Sequence, residues 1–280
     1  MYCAILRPEM IIARNSAAAE ARSGWPAKGG GTKAVNARAK LGQLLWTADG
    51  ERKLPPQDQL DKALGALREG DLAWICEFAE IGPLYLIPTR PWLGVLATKI
   101  RSLGAKRVLE VAAGDGFLSR SLALVAPDLE IIASDSGRWE DPRARMSLGE
   151  RHELRDREVP GVQLGGEVLR LEARAAISRV KPDLVLAAWL PPGRLLDRLI
   201  AAPVGLILEV GAGSVTAGNW SWRFSHEICD GPIEELCRCR LDERPRKARH
   251  SRVTLYYAAR HPEHSRERVR PGDWLWQFRP

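Results

Sequence analysis

A glycine turn follows an apolar run directly in residues 109–120, LEVAAGDGFLSR. Gly114 and Gly116 flank Asp115, and Glu110 precedes the turn. Glycine lets a backbone approach a ligand closely, and the helix predicted after the turn offers unpaired N–H groups at its N-terminus. The combination predicts a site for a nucleotide-like cofactor, and two large cofactor families begin with nearly these letters.

The first alternative is a dinucleotide site. Residues 114–119 read G-x-G-x-x-S, and Asp135 lies about twenty residues further on, where a ribose ligand is expected. Ser119 stands at the third small position, which is Gly or Ala in that pattern. An NAD(P)-dependent oxidoreductase is therefore one hypothesis.

The second alternative uses more of the residues. With Glu110 before the turn and Ala112, Ala113, Gly114, Asp115 and Gly116 forming it, the sequence resembles the class I S-adenosylmethionine-dependent methyltransferases. The first motif of that family is an acidic residue in or just after strand one, followed by G-x-G-x-G. Ala112 stands here in place of the first glycine. The resemblance implies that Glu110 orients the methionine end of S-adenosylmethionine.

Further matches to the family follow in the expected order. Asp135 ends the run EIIASD, and the resemblance implies that it hydrogen-bonds both ribose hydroxyls, with Ser136 beside it in the cofactor site. Glu172 and Ala173 resemble the acidic-Ala pair that contacts adenine. Glu167 takes the place of Glu172 if the register of GGEVLRLEARAAI is different.

The stretch PDLVLAAWLPPG at 182–193 resembles strand four and the loop that closes over the methyl group in this family. Trp189, Pro191 and Pro192 are the candidate loop residues for substrate or cofactor. The amino-methyltransferases of DNA and RNA have Asp or Asn before Pro-Pro and an aromatic residue after it. Leu190 and Gly193 stand at those places, so nucleobase amine chemistry is not implied.

No catalytic residue is assigned, because methyl transfer needs a base only when the nucleophile must lose a proton. His226 and Glu209 are the candidate bases, and the role of a surface residue or of a satisfied hydrogen-bonding partner suits both equally well. A zinc site can be drawn from His226, Cys229, Cys237 and Cys239, but its spacing lacks a C-x2-C knuckle. We expect no metal.

Strand and helix signals alternate from residue 106 onward, which predicts a parallel sheet covered on both faces. CRCRLDE (237–243) and RVTLYYAAR (252–260) are predicted as an antiparallel hairpin. Together with the resemblance, this gives an α/β three-layer sandwich with a mostly parallel seven-stranded sheet, its last strand antiparallel, and an N-terminal helical cap. The polar stretch 137–161 is long for a connection and predicts a helix plus an insertion.

Four segments are predicted. Residues 1–55 are a mobile arm rich in Ala, Gly and Lys, and 56–104 form the helical cap, with amphipathic periodicity from 57 and a helix from about 92 to 103. Residues 105–262 form the S-adenosylmethionine-binding domain, and 263–280 are a tail. The helical cap occupies the place where the family commonly adds a substrate cover.

Composition bounds the class of protein. The 280 residues are 45% hydrophobic, enough for a sizeable core. Apolar runs stay short of the ~20 residues that span a bilayer, and Arg7 and Glu9 interrupt any signal-peptide segment. Five cysteines are too few and odd in number for a disulfide framework. A cytoplasmic protein with reduced thiols is the expectation.

The net charge of +7 is concentrated near the C-terminus. The tract 238–270 holds eleven basic and four acidic residues, so its excess equals that of the whole chain. Such a tract suits nucleic acid, an acidic membrane surface, or a solvated face.

The leading hypothesis is an S-adenosylmethionine-dependent methyltransferase that acts on a small or medium-sized acceptor. A nucleic-acid methyltransferase that uses the basic tract is a variant of it. An oxidoreductase and a non-catalytic cofactor-binding or interaction protein are the alternatives. The sequence assigns neither the acceptor atom nor the oligomeric state.

Overall fold

The computed structural model describes residues 32–68, 71–72, 76, 84–141, 161–190, 194–212, 216, 221, 224–242 and 251–258. Several predicted features lie outside these ranges: the arm before residue 32, most of the 137–161 insertion, Pro191 and Pro192, and the tail from 263.

Three helices come first in the described part of the chain, and strands and helices mostly alternate from β1 onward. Their bounds are α1 (Thr32–Leu45), α2 (Gln57–Gly65), α3 (Arg90–Ser102), β1 (Arg107–Val111), α4 (Phe117–Val125), β2 (Glu130–Asp135), β3 (Leu169–Arg170), α5 (Ala173–Val180), β4 (Leu184–Ala188), α6 (Leu195–Ile200), β5 (Leu206–Ala212), β6 (His226–Ile228), α7 (Pro232–Glu235) and β7 (Ser251–Tyr257). None of the helices within these ranges is long and apolar enough to cross a membrane.

The seven strands form one sheet in the order β3-β2-β1-β4-β5-β7-β6. β1 to β5 are parallel, and β7 runs antiparallel to both β5 and β6. The predicted α/β fold with a reversed last strand is therefore confirmed. β7 is the reversed last strand that the resemblance to class I methyltransferases implies, and it separates this fold from dinucleotide-binding sheets.

The predicted hairpin partner of β7 was wrong. β7 pairs with His226–Ile228, whereas the described part of the predicted strand, residues 237–242, contributes an isolated bridge between Cys239 and Leu86. The reason lies in Asp242, whose buried carboxylate accepts the backbone N–H of Cys239 at 2.9 Å and that of Ser251 at 3.1 Å. These bonds hold residues 239–242 in a turn beside the start of β7 and not in an extended strand.

The segment 1–55, predicted as an arm, contains a helix at its C-terminal end. Leu41 and Leu45 of α1 are buried against Leu60 and Leu64 of α2. Most helical stability in proteins comes from such packing of one face, which the Ala- and Lys-rich composition of this segment did not reveal.

The helix predicted at 92–103 is confirmed as α3. Its N-cap is Thr89, whose hydroxyl accepts the N–H of Trp92 at 3.4 Å, and Gly104 follows its end with φ +73°. Trp92 is fully buried and donates its indole N–H to the carbonyl of Ile233 in α7, at 2.9 Å. This bond ties α3 to the C-terminal half of the chain.

Two apolar clusters hold the helices to the two faces of the sheet. On one face, α3, α4 and α7 pack against alternate residues of the central strands, among them Val108, Leu184, Leu186 and Leu208. On the other face, α5 and α6 pack against the intervening residues, among them Leu109, Val111, Val185 and Ile207. Because successive strand residues face opposite sides, Glu110 shares its face with Val108.

Candidate active site

A cavity of about 390 Å³ lies at the carboxyl ends of β1, β2 and β4. Part of its lining comes from the glycine turn, the end of β2 and the segment after it: Glu110, Ala112, Ala113, Gly114, Asp115, Leu118, Asp135, Trp139, Val162 and Gln163. The rest of its lining comes from the N-terminal helical part, the end of β4 and the segment after α7: Trp46, Arg52, Leu84, Tyr85, Leu86, Pro88, Ala188, Trp189, Leu190, Arg240 and Leu241. Small-molecule sites in proteins commonly have about this volume.

The turn after β1 has the conformation that its glycines predict. Gly114 and Gly116 have φ +56° and +70°, and Gly116 is the N-cap of α4. A Cβ at Gly114 would lie 2.8 Å from Cγ1 of Val162, so the chain after the 137–161 insertion packs directly on the turn. The turn therefore needs glycine here for both its backbone angle and its close packing.

Ala112 has φ +54°, a left-handed conformation that glycine adopts far more readily than alanine. An L-residue with a Cβ pays about 1–2 kcal/mol there. We therefore expect Ala112→Gly to raise the free energy of unfolding by about 0.5–1 kcal/mol, measured by urea denaturation. Affinity for S-adenosylhomocysteine should stay the same, because the backbone already has the glycine conformation.

The matched control is Ala113→Gly. Ala113 is buried and has no positive φ, so glycine there should destabilise the fold. Equal destabilisation by both variants would show that Ala112 is not strained.

Glu110 is 3% exposed and accepts a hydrogen bond from the hydroxyl of Ser119 at 2.5 Å. Burial raises the pKa of Glu110 to about 7, with a further push from the negative charge of Asp115, against the lowering effect of the Ser119 bond. A carboxyl with this pKa ionises near neutral pH and would do so more readily when a cation enters the cavity.

Asp135, at the end of β2, is bound by the backbone on both carboxylate oxygens. Oδ2 accepts the N–H of Gly114 at 3.0 Å, and Oδ1 accepts the N–H of Gly137 at 2.8 Å. Each oxygen has about two acceptor positions, so each can still accept a second hydrogen bond from the cavity. These contacts join the end of β2 to the glycine turn and orient the carboxylate.

The sequence did not predict that Arg52 reaches the glycine turn. Its guanidinium donates to both carboxylate oxygens of Asp115, at 2.8 and 3.1 Å, and to the carbonyl of Leu86 at 3.3 Å. It also lies 4.1 Å above the ring centroid of Phe117. A contact across 63 residues leaves no local signal, and Arg52 fell in the segment predicted as an arm.

Three further side chains of the cavity lining form an aromatic and cationic group. The rings of Tyr85 and Trp189 stack with centroids 5.9 Å apart and planes 22° apart. The Arg240 guanidinium carbon lies 5.5 Å from the Tyr85 ring centroid. Two backbone hydrogen bonds join the segments of Tyr85 and Arg240, which run antiparallel. The N–H of Arg240 donates to the carbonyl of Tyr85, and the N–H of Ile87 donates to the carbonyl of Arg238, both at 2.9 Å. Of these three side chains, Trp189 was a candidate loop residue from the sequence.

Trp139 and Val162 bracket the 142–160 stretch and meet beside Asp135. The N–H of Val162 donates to the carbonyl of Trp139 at 2.8 Å, and both residues line the cavity with Gln163. No motif in the sequence pointed to these residues, although the length of the insertion was a signal that the region had a role of its own.

The residues matched to the adenine motif are not brought to the cavity lining. Glu172 is the N-cap residue of α5, and its largely exposed side chain makes an ion pair with Arg138 at 2.7 Å. Ala173 begins that helix, and Ser136 accepts the N–H of Arg138 at 3.4 Å. Trp139 and Gln163 line the cavity near the end of β2 instead.

The two candidate bases also lie away from the cavity lining. His226 pairs with Tyr256 near the amino end of the sheet, and its Nδ1 is 2.9 Å from the carbonyl oxygen of Phe224. Glu209 is buried on β5 and accepts from the hydroxyl of Thr216 at 3.2 Å. Burial raises the pKa of Glu209 to about 7, as it does for Glu110.

The three cysteines of the zinc site that can be drawn from the sequence pack in the interior. Cys229, Cys237 and Cys239 are all buried, and burial raises the pKa of each thiol. A metal is bound by the thiolate, which this environment disfavours. Within the described ranges, no group of three or more His, Cys, Asp or Glu residues could hold a metal ion.

Of the basic tract 238–270, the structure describes three basic residues. Arg238 is 3% exposed, makes an ion pair with Asp61 at 2.9 Å and donates to backbone carbonyls. Arg240 lines the cavity, and Arg252 is part of β7. The other eight lie outside the described ranges. Arg238 therefore stabilises the fold and is not exposed to a polyanion.

Comparison with known proteins gives structural likeness only. No family model and no curated protein matches the sequence. A 23S rRNA methyltransferase, ErmE, is 17% identical over 63% of this chain and 70% of its own, with a TM-score of 0.32. An O-methyltransferase of Thermotoga maritima is 13% identical over 62% of this chain and 68% of its own, with a TM-score of 0.36. A precorrin-6y C5,15-methyltransferase of Geobacter metallireducens is 14% identical over 60% of this chain and 87% of its own, with a TM-score of 0.34. The fold assignment rests on the strand order itself.

Proposed function

We propose that this protein is an S-adenosylmethionine-dependent methyltransferase. The observation that carries the proposal is the pair of buried carboxylates, Glu110 and Asp135, on either side of a glycine turn in one cavity. The reversed β7 adds to it, because this strand is absent from the dinucleotide-binding sheet that the alternative requires.

The residues fit S-adenosylmethionine in charge and hydrogen bonding. Its methionine end carries an ammonium group, and Glu110 supplies an acidic partner for a cation. Its ribose carries two hydroxyls, and each Asp135 oxygen retains an acceptor position for one of them. Trp139 offers a flat apolar surface beside Asp135 for the adenine ring, the role that the sequence had suggested for Glu172 and Ala173.

When bound, S-adenosylmethionine supplies an electrophilic methyl group: an acceptor lone pair forms the new bond to carbon while the electrons of the carbon–sulfur bond pass to sulfur. The contribution of the chain is alignment and exclusion of water. Arg52 serves both, because its bonds to Asp115 and to the carbonyl of Leu86 join the glycine turn to the segment before α3. Trp189, at the end of β4, forms part of the acceptor side.

An acceptor of small or medium size is the favoured class. The cavity of about 390 Å³ has the size that small-molecule sites commonly have. The burial of Arg238 also removes one cation from the tract that suggested nucleic acid.

Isothermal titration calorimetry with S-adenosylmethionine, S-adenosylhomocysteine and NAD tests the proposal. Both sulfur compounds should bind and NAD should not. Binding of NAD alone would support the oxidoreductase and overturn the proposal. Binding of the sulfur compounds without methyl transfer to any acceptor would favour the non-catalytic alternative.

A further inference from the structure

We propose that Gln163 is a specificity-determining residue that recognises the 6-amino edge of the cofactor's adenine. The side-chain amide of Gln163 accepts a hydrogen bond from the amine and donates one to a neighbouring ring nitrogen. For the identity of the whole ligand this rests on the proposed function, although any adenosine compound with its ribose at Asp135 would meet the same amide. Base recognition then belongs to the segment before β3 and not to the start of α5.

The segment of Gln163 lies beside the residue proposed for the ribose. Its neighbour Val162 donates its backbone N–H to the carbonyl of Trp139 at 2.8 Å. The Val162 side chain packs on the glycine turn, since a Cβ at Gly114 would lie 2.8 Å from its Cγ1. Gly114 in turn donates its N–H to Asp135 at 3.0 Å. These contacts place Gln163 in the part of the cavity lining that contains Asp135, and the base is joined directly to the ribose.

The amide of Gln163 is available to a ligand. The residue is exposed and lines the cavity, and among the described residues none makes a hydrogen bond with its side chain. A glutamine amide has one acceptor oxygen and two N–H donors. The adenine edge presents an amine donor beside a ring-nitrogen acceptor, which is the pattern that Asn and Gln match with two hydrogen bonds.

The neighbouring side chains of the lining cannot make both bonds. Between β2 and α5, the described residues that line the cavity are Asp135, Trp139, Val162 and Gln163. An ionised carboxylate only accepts, an indole N–H only donates, and valine does neither. Gln163 is therefore the member of this set that matches the adenine edge.

The acid that the family resemblance assigns to adenine is engaged elsewhere. Glu172 is the N-cap residue of α5 and makes an ion pair with Arg138 at 2.7 Å. Neither Glu172 nor its alternative, Glu167, lines the cavity. Recognition of the base therefore needs another polar group, and Gln163 supplies it.

Trp139 and Gln163 have different tasks in this arrangement. Trp139 is 38% exposed and lines the cavity, so part of its indole is accessible to a ligand. Stacking on an aromatic side chain tolerates any base, because every base has a flat face. Hydrogen bonds from an amide distinguish one base edge from another. Selectivity for adenine therefore depends on Gln163.

Two matched ligands test the proposal: S-adenosylhomocysteine and its analogue with hydrogen in place of the 6-amino group. Isothermal titration calorimetry on the full chain measures both dissociation constants. We expect S-adenosylhomocysteine to bind about fivefold more tightly than the analogue, which is the effect of one hydrogen bond.

Variants assign this preference to its residue. Gln163→Leu should reduce the affinity ratio to about one, because leucine neither donates nor accepts. Gln163→Glu should retain a preference for the amine, since a carboxylate still accepts a hydrogen bond. The matched control is Gln59→Leu, the same change at an exposed glutamine of α2 that does not line the cavity. Gln59→Leu and Glu172→Gln should both keep the wild-type ratio, and thermal unfolding shows that each variant is folded.

Equal affinity of the wild type for the two ligands would overturn the proposal, and so would an unchanged ratio in Gln163→Leu. Loss of the ratio in Glu172→Gln would overturn it too, by assigning the base to the start of α5. The proposed function fails separately, if the wild type binds neither sulfur compound. Adenosine and purine riboside, titrated by ligand-observed NMR, then decide whether the base site exists. Equal affinity for those two nucleosides, or no binding of adenosine, would overturn the proposal.

Discussion

Replacing Asp135 with asparagine is expected to lower the affinity for S-adenosylhomocysteine by about a hundredfold. Loss of the charged acceptor for two ribose hydroxyls costs about 3 kcal/mol in total. The amide nitrogen of asparagine would also face the N–H of either Gly114 or Gly137, which now donate to the two carboxylate oxygens. Isothermal titration calorimetry of the variant and the wild type measures the change.

Asp183→Asn is the matched control for this loss. Asp183 also accepts two backbone N–H groups, from Lys106 and Arg107 at 2.9 and 2.8 Å, but it does so at the amino end of β1, away from the cavity. The variant Asp183→Asn should be less stable than the wild type and should keep the wild-type affinity for S-adenosylhomocysteine. Equal affinity in Asp135→Asn and the wild type would show that Asp135 is not the ribose ligand.

The affinity for S-adenosylhomocysteine should rise about tenfold between about pH 5.5 and about pH 7, because Glu110 must be ionised to bind the ligand's ammonium group. The pKa of Glu110 is raised to about 7, so the free protein holds the proton over most of this interval. The ligand's α-amino group titrates above this range, so it stays charged. Glu110→Gln should remove the pH dependence and bind weakly throughout, as measured by calorimetry at several pH values.

The raised pKa of Glu110 also makes the folding stability depend on pH. The direction is opposite to that of an ion-paired carboxylate, whose pKa is lowered. The unfolded chain releases this proton near pH 4.5, whereas the folded chain keeps it until about pH 7. Folding stability is therefore lost as pH rises between these values, by on the order of 3 kcal/mol for Glu110. Urea denaturation should show a smaller loss over this interval in Glu110→Gln.

The variant Glu209→Gln separates the pH dependence of ligand affinity from the pH dependence of folding stability. Glu209 is buried and has a pKa raised to about 7, but it does not line the cavity. Its variant should reduce the loss of stability with rising pH and leave the pH dependence of ligand affinity intact. If both variants changed the affinity profile alike, the profile would reflect general stability and not a contact with Glu110.

The parts of the fold that the sequence predicted are those with local patterns. Short β-rich runs alternating with helical segments indicated the parallel sheet, and β1, β2, β4 and β5 lie where these runs occur. The helix α3 had both a cap and a terminal glycine. The hairpin was predicted at the wrong partner because Cys237 and Cys239 alternate with charged residues as strand residues do, although Asp242 turns that segment.

By itself, the sequence determined the sheet and the glycine turn, together with the placement of Glu110 and Asp135 at the ends of neighbouring strands. The carboxyl ends of parallel strands meet at one edge, so these positions follow from chain order alone. The tertiary structure decided the rest of the cavity: the ion pair of Arg52 with Asp115 and the grouping of Tyr85 with Trp189 and Arg240. Those contacts join segments far apart in the chain, and their free energy comes from packing that no local pattern records.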